Sequence, residues 1–184
     1  MLEHDKQDSP LDGLRRRDHA AFTCVYQRYR LKIYRYCSGL LSGDARANDA
    51  VQETFLKLYN AAPSFNQEAA LKTWLYTVAR NEVRMVWRRD RHQVVDDMTT
   101  IAAEDSAASG LDRQETTFMI WEALGHLIPE HREVLVLREF EEMSYDEIAC
   151  ILHLSLTAVK SRIFKARRAL ATRLAPMMEE RGAP

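Results

Sequence analysis

The stretch that decides the fold runs from Ser144 to Leu170 and reads "SYDEIACILHLSLTAVKSRIFKARRAL". Glu147 follows Ser144 by three residues, a capping-box pattern that predicts the start of a short helix. Residues 154–156 predict a tight connection, and a second helix is expected to start near Thr157. A short helix, a tight turn and a second helix occur in this order in helix-turn-helix units, so the stretch predicts a DNA-binding domain.

The predicted second helix has a basic surface. Apolar residues recur at spacings of four, three and four from Val159 to Leu170, which predicts one buried stripe. No Asp or Glu occurs from Ile148 to Met178, so no acid on this helix can pair with its cations at helical spacing. A merely solvated face is the alternative, because surface Lys and Arg are common. The residues predicted to contact DNA are Thr157, Ala158, Lys160, Ser161, Arg162, Lys165 and Arg167.

Two further helices are predicted upstream of this unit, at 118–127 and from Pro129 to Phe140. The part of the chain that includes the second of them is acidic, in contrast to the basic helix that follows. Its acids are Glu130, Glu133, Glu139, Glu141, Glu142, Asp146 and Glu147.

The whole chain has 184 residues, of which 46% are hydrophobic and 29% charged, with a formal net charge of −1. This composition is typical of a globular protein. Gly and Pro are scarce in the periodic stretches and no stretch alternates over strand length, so we predict an all-α fold of two small helical domains joined by a flexible linker. The predicted segments are a polar N-terminal tail (1–14), a first domain (15–92), an acidic linker (93–116), a second domain (117–178) and a tail (179–184).

Several classes of protein are disfavoured by the same sequence. No apolar stretch approaches the roughly 20 residues that span a bilayer, and the polar start does not resemble a secretory signal, so we expect a cytoplasmic protein without membrane insertion. Cys24, Cys37 and Cys150 are widely spaced and are expected to be reduced, mostly buried thiols, and no metal is expected. No catalytic motif occurs, so no enzymatic activity and no cofactor are predicted.

The stretch from Leu127 to Leu170, "LIPEHREVLVLREFEEMSYDEIACILHLSLTAVKSRIFKARRAL", resembles region 4 of bacterial sigma factors of the extracytoplasmic-function group. The resemblance implies that this domain reads the minus-thirty-five promoter element and contacts the polymerase β flap. The residues that match the family pattern are Arg132, Tyr145, Glu147, Ile148, Ala149, Val159, Lys160, Ser161, Arg162, Ala166, Arg167 and Leu170.

A second resemblance lies in the first domain, where residues 44–59, "DARANDAVQETFLKLY", are similar to region 2.2 of the same family. The spacing of Ala47, Val51, Phe55 and Leu58 predicts their burial, with polar residues on the opposite face. The resemblance implies that this polar face binds the coiled coil of the polymerase β′ subunit, whereas a merely solvated face is the alternative. The residues implied in polymerase binding are Asp49, Gln52, Glu53 and Leu56.

Residues 71–89, "LKTWLYTVARNEVRMVWRR", resemble regions 2.3 and 2.4 of the family. Arginines recur at a spacing of four along one predicted helix face, which suits contact with a phosphate backbone. Trp74 and Leu75 are expected to pack in the core. The resemblance implies that this helix and the loop before it open the minus-ten element and hold the single strand. The residues expected to contact DNA here are Phe65, Arg80, Asn81, Arg84 and Arg88.

Together the two resemblances imply a sigma factor that binds core RNA polymerase and promoter DNA and is held inactive by an anti-sigma factor. The linker is then expected either to thread toward the polymerase cleft or to act as a passive tether. One alternative is a free-standing helix-turn-helix regulator that dimerises on a palindrome. A pure interaction protein, such as a decoy for an anti-sigma factor, is a third possibility, which would not need the basic faces.

Overall fold

The computed structural model describes residues 10–41, 43–61, 67–92 and 111–182. Every secondary-structure element in these ranges is a helix, which confirms the all-α prediction. The predicted linker residues 93–110 lie outside the described ranges, as do Phe65 and the two ends of the chain. In order the elements are α1 (Pro10–Arg15), α2 (His19–Ser38), α3 (Asp44–Ala61), α4 (Glu68–His92), α5 (Leu111–Gly125), α6 (Pro129–Leu135), a π-helical segment (Val136–Phe140), α7 (Tyr145–Leu152) and α8 (Leu156–Gly182).

Three long helices, α2, α3 and α4, pack together to form the core of the first domain. The apolar stripe predicted on α3 is buried at all four positions, and α4 contributes Leu75 and Tyr76 to the same core. Burying each large apolar side chain contributes about 1.5 to 3 kcal/mol, so this stripe fixes which face of α3 points outward. The opposite face of α3 is therefore left to solvent or to a partner.

Helix α1 lies where the sequence predicts a polar tail. Leu14 is buried, and a Cβ placed on Gly13 would come within 2.4 Å of the Ala21 side chain. Glycine thus permits the close approach of α1 to α2. Asp18 lies between the two helices and caps α2, because its carboxylate accepts a hydrogen bond from the Ala20 N–H at 3.1 Å. Residues 10–14, which the sequence predicts as part of a polar tail, therefore lie in a helix that packs against α2.

The second domain contains α5 to α8, and its local signals match the sequence. The Ser144 Oγ accepts a hydrogen bond from the Glu147 N–H at 3.2 Å and Glu147 accepts one from the Ser144 N–H at 2.8 Å, which confirms the capping box. Helix α8 begins at Leu156, with the Ser155 Oγ accepting from the Ala158 N–H at 3.2 Å. Helix α5 begins at Leu111, inside the segment predicted as a linker.

The two domains pack against each other. Helix α4 contacts α7, and α2 contacts the π-helical segment. A Cβ placed on Gly39, at the end of α2, would lie 2.8 Å from the ring of Trp121 on α5, so glycine allows the indole to approach closely. Trp121 in turn packs against Phe140, with ring centroids 4.4 Å apart and the rings tilted by 35°. Among the described residues, no helix is both long and apolar enough to cross a membrane.

Candidate nucleic-acid and polymerase interfaces

The N-terminal half of α8 presents the basic surface that the sequence predicts. Val159, Ile163 and Ala166 are buried in the domain core, which turns the polar positions outward. Ala158 and Arg162 are half-buried at the edge of that surface. The positions exposed to solvent are Thr157, Lys160, Ser161, Lys165 and Arg167.

Arg167 differs from the other predicted contacts because it has a partner within its own domain. Its guanidinium donates two hydrogen bonds to Glu139 Oε1, at 2.9 and 2.7 Å. These bonds and the carboxylate charge raise the pKa of Arg167. The sequence has no acid between Ile148 and Met178, but it did not reveal one from the π-helical segment, so contact of Arg167 with phosphate requires exchange of this partner.

Phe164 lies on the exposed side of α8 and was not singled out from the sequence. Its side chain is 63% exposed, and the Arg168 guanidinium lies 5.9 Å from the ring centroid. Its exposure could have been predicted from the sequence, because Phe164 falls outside the apolar stripe that includes Val159 and Ile163. A singly exposed aromatic side chain is common on protein surfaces and by itself assigns no function to this position.

The acidic face of α3 is also exposed. Asp49, Gln52, Glu53 and Leu56 all lie on the side opposite the buried stripe. Tyr59 extends the same surface by one further turn and is itself exposed, with its ring edge-on to Phe22 at 5.5 Å. The face thus combines two exposed carboxylates with two large exposed apolar side chains, those of Leu56 and Tyr59.

The basic face of α4 is only partly exposed. Asn81, Arg84 and Arg88 are exposed. Arg80, predicted to share that surface, is buried instead and forms an ion pair with Glu133 of α6 at 2.9 Å. The arginine spacing predicted one common face correctly, but α6 covers its first position, so Arg80 cannot reach DNA in this arrangement.

The three cysteines do not share one environment. Cys37 is buried, and burial raises the pKa of its thiol. Cys24 and Cys150 are exposed, so the expectation of mostly buried thiols is wrong for these two. Among the described residues, no cluster of His, Cys, Asp and Glu has the arrangement of a metal site.

Comparison with known proteins identifies the family to which both domains belong. Residues 25–93 match the family described as Sigma-70 region 2, and residues 117–170 match Sigma-70, region 4. The chain is 30% identical to the RNA polymerase sigma-H factor of Pseudomonas aeruginosa, over 98% of this chain and 100% of that one. It is also 30% identical to the ECF RNA polymerase sigma-E factor of Escherichia coli (strain K12), over 91% and 94% of the two chains. The chain belongs to the extracytoplasmic-function sigma factors of the sigma-70 family.

Proteins of this family are transcription initiation factors and not enzymes. A solved structure extends the similarity to both domains. The sigma factor RpoE from Bartonella quintana, in complex with the anti-sigma factor NepR, superposes on this chain with a TM-score of 0.70. The match has 27% identity and covers 83% of this chain and 96% of that one, more than either domain alone provides.

Proposed function

We propose that this sigma factor binds core RNA polymerase in the cytoplasm and directs it to a specific class of promoters. The observation that carries the proposal is the presence, in one chain, of an exposed acidic face on α3 and an exposed basic face on α8. Each face lies in the domain that matches the corresponding sigma-70 region. A free-standing DNA-binding regulator would need only the second of these faces.

Polymerase binding is assigned to the outward face of α3. Asp49 and Glu53 are one helical turn apart and present two negative charges to a basic partner, the coiled coil of the β′ subunit. Gln52 adds a hydrogen-bonding group, and Leu56 adds an exposed apolar side chain. The charges favour rapid association, whereas Leu56 and its neighbour Tyr59 provide the area that is buried on docking. The second domain makes a further contact with the β flap.

Duplex recognition is assigned to the N-terminal half of α8, which enters the major groove over the minus-thirty-five element. Arg162 is assigned to a base edge, because a guanidinium can donate two hydrogen bonds to the major-groove acceptors of guanine. Lys160 and Lys165 are exposed and are assigned to phosphates. Each phosphate contact releases condensed counterions, so binding weakens as salt rises.

Opening of the minus-ten element is assigned to α4. Arg84 and Arg88, one turn apart and exposed, follow the backbone of the displaced strand, and Asn81 donates to or accepts from an unpaired base. No covalent chemistry is required of the protein. Strand separation is driven by tighter binding to unpaired than to paired DNA, and the polymerase makes the RNA.

An anti-sigma factor is assigned as the inhibitor of this chain. RpoE of Bartonella quintana, which superposes over both domains, is held in its structure by the anti-sigma factor NepR. A protein bound across both domains would cover the faces of α3 and α8 together, which explains inhibition without any change in either fold.

The proposal is tested by transcription with core polymerase from the source organism on sheared genomic DNA, with and without this protein. New transcripts whose starts share two spaced upstream elements are expected. DNA binding by the isolated protein without any new start would instead favour the free-standing regulator. Core polymerase alone, and core with a chain that lacks residues 111–184, are the controls.

A further inference from the structure

One cation of the basic surface on α8 is neutralised within its own domain. The Arg167 guanidinium donates from Nε and Nη2 to the same carboxylate oxygen of Glu139, at 2.9 and 2.7 Å. By contrast, Lys160, Arg162 and Lys165 form no ion pair with any of the described residues. Arg167 therefore differs from the other predicted DNA-binding cations of α8, because its charge is already balanced by an acid.

Arg167 lies on the side of α8 that Lys160 occupies. The two residues are seven positions apart, which is two helical turns, so they share one side of the helix at a distance of about 10 Å along its axis. Ala166 is fully buried and thereby holds the next position at the edge of the exposed surface. A free guanidinium at position 167 would extend the cationic surface by these two turns.

The carboxylate of Glu139 is held in place by the segment that carries it. Glu139 belongs to the π-helical segment, a rare conformation that often lies at functional sites. The residue before it, Arg138, donates from Nη1 to the Met143 carbonyl oxygen at 2.6 Å. The residue after it, Phe140, packs against Trp121. Because both neighbours are anchored, the carboxylate stays beside α8.

Exchange of the Glu139 carboxylate for a DNA phosphate brings little gain to Arg167. The guanidinium would give up one anion to contact another, so it gains no additional charge-assisted hydrogen bond. Glu139 would then remain as an unpaired carboxylate beside the DNA, where it repels the phosphates. A neutral ion pair also releases no condensed counterions, in contrast to a free cation. Arg167 therefore adds little to the affinity for DNA while Glu139 holds it.

We propose that Glu139 is a positioning residue that withholds Arg167 from the phosphate backbone and so limits the affinity of α8 for duplex DNA of any sequence. This rests on the proposed function, because it assumes that α8 contacts duplex DNA. Phosphate contacts carry no direct sequence information. Loss of one such contact weakens binding to random DNA, which leaves more of the protein free for promoters, since non-specific sites vastly outnumber them.

The test compares three full-length chains. They are the wild-type chain, Glu139→Gln, and Glu139→Gln combined with Arg167→Ala. Glutamine keeps the size of the side chain but removes its charge. Both partners are exposed, and an exposed ion pair contributes little to stability, so all three chains should fold, which circular dichroism checks. Affinity for a fluorescent duplex of random sequence is measured by anisotropy over a range of salt concentrations.

The decisive quantity is the slope of the logarithm of affinity against the logarithm of salt concentration. Glu139→Gln should make this slope steeper by about one, which is the effect of one added phosphate contact. The combined variant should return to the wild-type slope, because positions 139 and 167 together are uncharged in both chains. A combined variant whose slope is shallower than that of the wild-type chain by about one would overturn the proposal, since Arg167 would then already contact phosphate.

A matched control separates this effect from the general charge of the domain. Glu142→Gln removes one negative charge from another exposed acid, which forms no ion pair with any described residue. Glu139→Gln and Glu142→Gln thus have the same net charge, so a general gain in affinity cancels in the comparison. Equal slopes in these two variants would overturn the proposal.

A second comparison identifies the group that the freed guanidinium contacts. Affinities are measured for a promoter duplex found in the transcription experiment and for a scrambled duplex of the same composition. The gain from Glu139→Gln should be equal on the two duplexes, because phosphates are common to both. A gain confined to the promoter duplex would mean that Arg167 reads a base, and would overturn the proposal.

Lys165→Ala distinguishes failure of this proposal from failure of the proposed function. If α8 contacts duplex DNA, this change should reduce the slope of the wild-type chain by about one. Such a reduction, together with no difference between Glu139→Gln and Glu142→Gln, would refute the role of Glu139 alone. An unchanged slope in all of these variants would contradict the DNA-binding function of α8, and with it the role of Glu139.

Discussion

Arg80 of α4 and Glu133 of α6 form an ion pair across the two domains, with Nε 2.9 Å from Oε1 and side chains only 9% and 4% exposed. A charge with this degree of burial needs an opposite charge or several hydrogen bonds, because loss of hydration otherwise costs several kcal/mol. The stability of each side chain in this position therefore depends on the other. The pair couples the helix assigned to the minus-ten strand to the domain assigned to the minus-thirty-five element.

The first prediction concerns this coupling. Arg80→Ala and Glu133→Ala should each destabilise the protein, and the double variant should be less affected than the sum of the two, by about 1 to 3 kcal/mol. Urea unfolding followed by circular dichroism measures the cycle. The control cycle uses Arg84→Ala and Glu130→Ala at two exposed positions, whose effects on the free energy of unfolding should be additive. Additive effects at Arg80 and Glu133 would contradict an energetically important ion pair.

The second prediction concerns pH. Burial raises the pKa of Glu141 above its ordinary value of 4.5, and the hydrogen bond from Tyr76 and the nearby Arg35 offset this only in part. Burial likewise raises the pKa of Glu133 despite its pairing with Arg80. In the window from 4.5 up to these raised values the folded chain holds more protons than the unfolded chain. The free energy of unfolding should therefore fall as pH rises through that window, by at most about 1.4 kcal/mol per pH unit for each carboxyl.

Glu147, which accepts a hydrogen bond from Lys72 of α4, has a pKa shift of the opposite sign and belongs in the same experiment. Burial acts to raise the pKa of Glu147, but hydrogen bonds from Lys72 and Ser144 outweigh it and lower the pKa below 4.5. Its contribution is lost as pH falls through that lowered pKa. The free energy of unfolding, measured in urea at pH 5, 6 and 7, should change less steeply with pH in the Glu141→Gln variant than in the wild-type chain. The same dependence on pH in both chains would refute the assignment to Glu141.

The third prediction addresses the polymerase contact. Asp49→Lys combined with Glu53→Lys reverses two exposed charges, so binding to core polymerase should be lost while the helical content and unfolding midpoint stay near those of the wild-type chain. Pull-down with purified core enzyme measures this. The control variant, Glu122→Lys with Glu130→Lys, makes the same charge change on the second domain and should still bind. Retention of core enzyme by the α3 variant would remove that face from the interface.

The fourth prediction separates base contact from phosphate contact on α8. Arg162→Ala should weaken binding to the promoter by about 1 to 3 kcal/mol and relax the preference at one base pair. Lys165→Ala should weaken binding to all sequences alike and reduce the slope of affinity against salt by about one. Competition binding across single-base promoter variants distinguishes the two. An equal loss on every sequence for Arg162→Ala would make it a phosphate contact.

The sequence predicted those parts of the fold that local rules control. The stripe from Ala47 to Leu58 and the capping box at Ser144 depend on spacing within one helix, and both are present in the structure. Most residues that the family motifs assign to the faces of α3 and α8 are exposed, as contact with a partner requires, and their roles stay predictions.

Features that depend on distant parts of the chain were not predicted. Helix spacing placed Arg80 with Arg84 and Arg88 but did not reveal that α6 covers it, since the partner Glu133 lies 53 residues away. Helix α1 was assigned to a tail because its packing depends on a glycine, which contributes nothing to an apolar pattern. The same limit applies to Arg167, whose partner Glu139 comes from another element.

The measurement that tests the central claim most directly is permanganate footprinting of a promoter found in the transcription experiment. With core polymerase and this protein, thymines of the minus-ten element should become reactive, and with core polymerase alone they should not. Substitution of Asn81 by alanine should reduce that reactivity while leaving duplex binding by the second domain intact. Thymines that stay unreactive in the presence of the wild-type chain and core polymerase would contradict its function as a promoter-opening sigma factor.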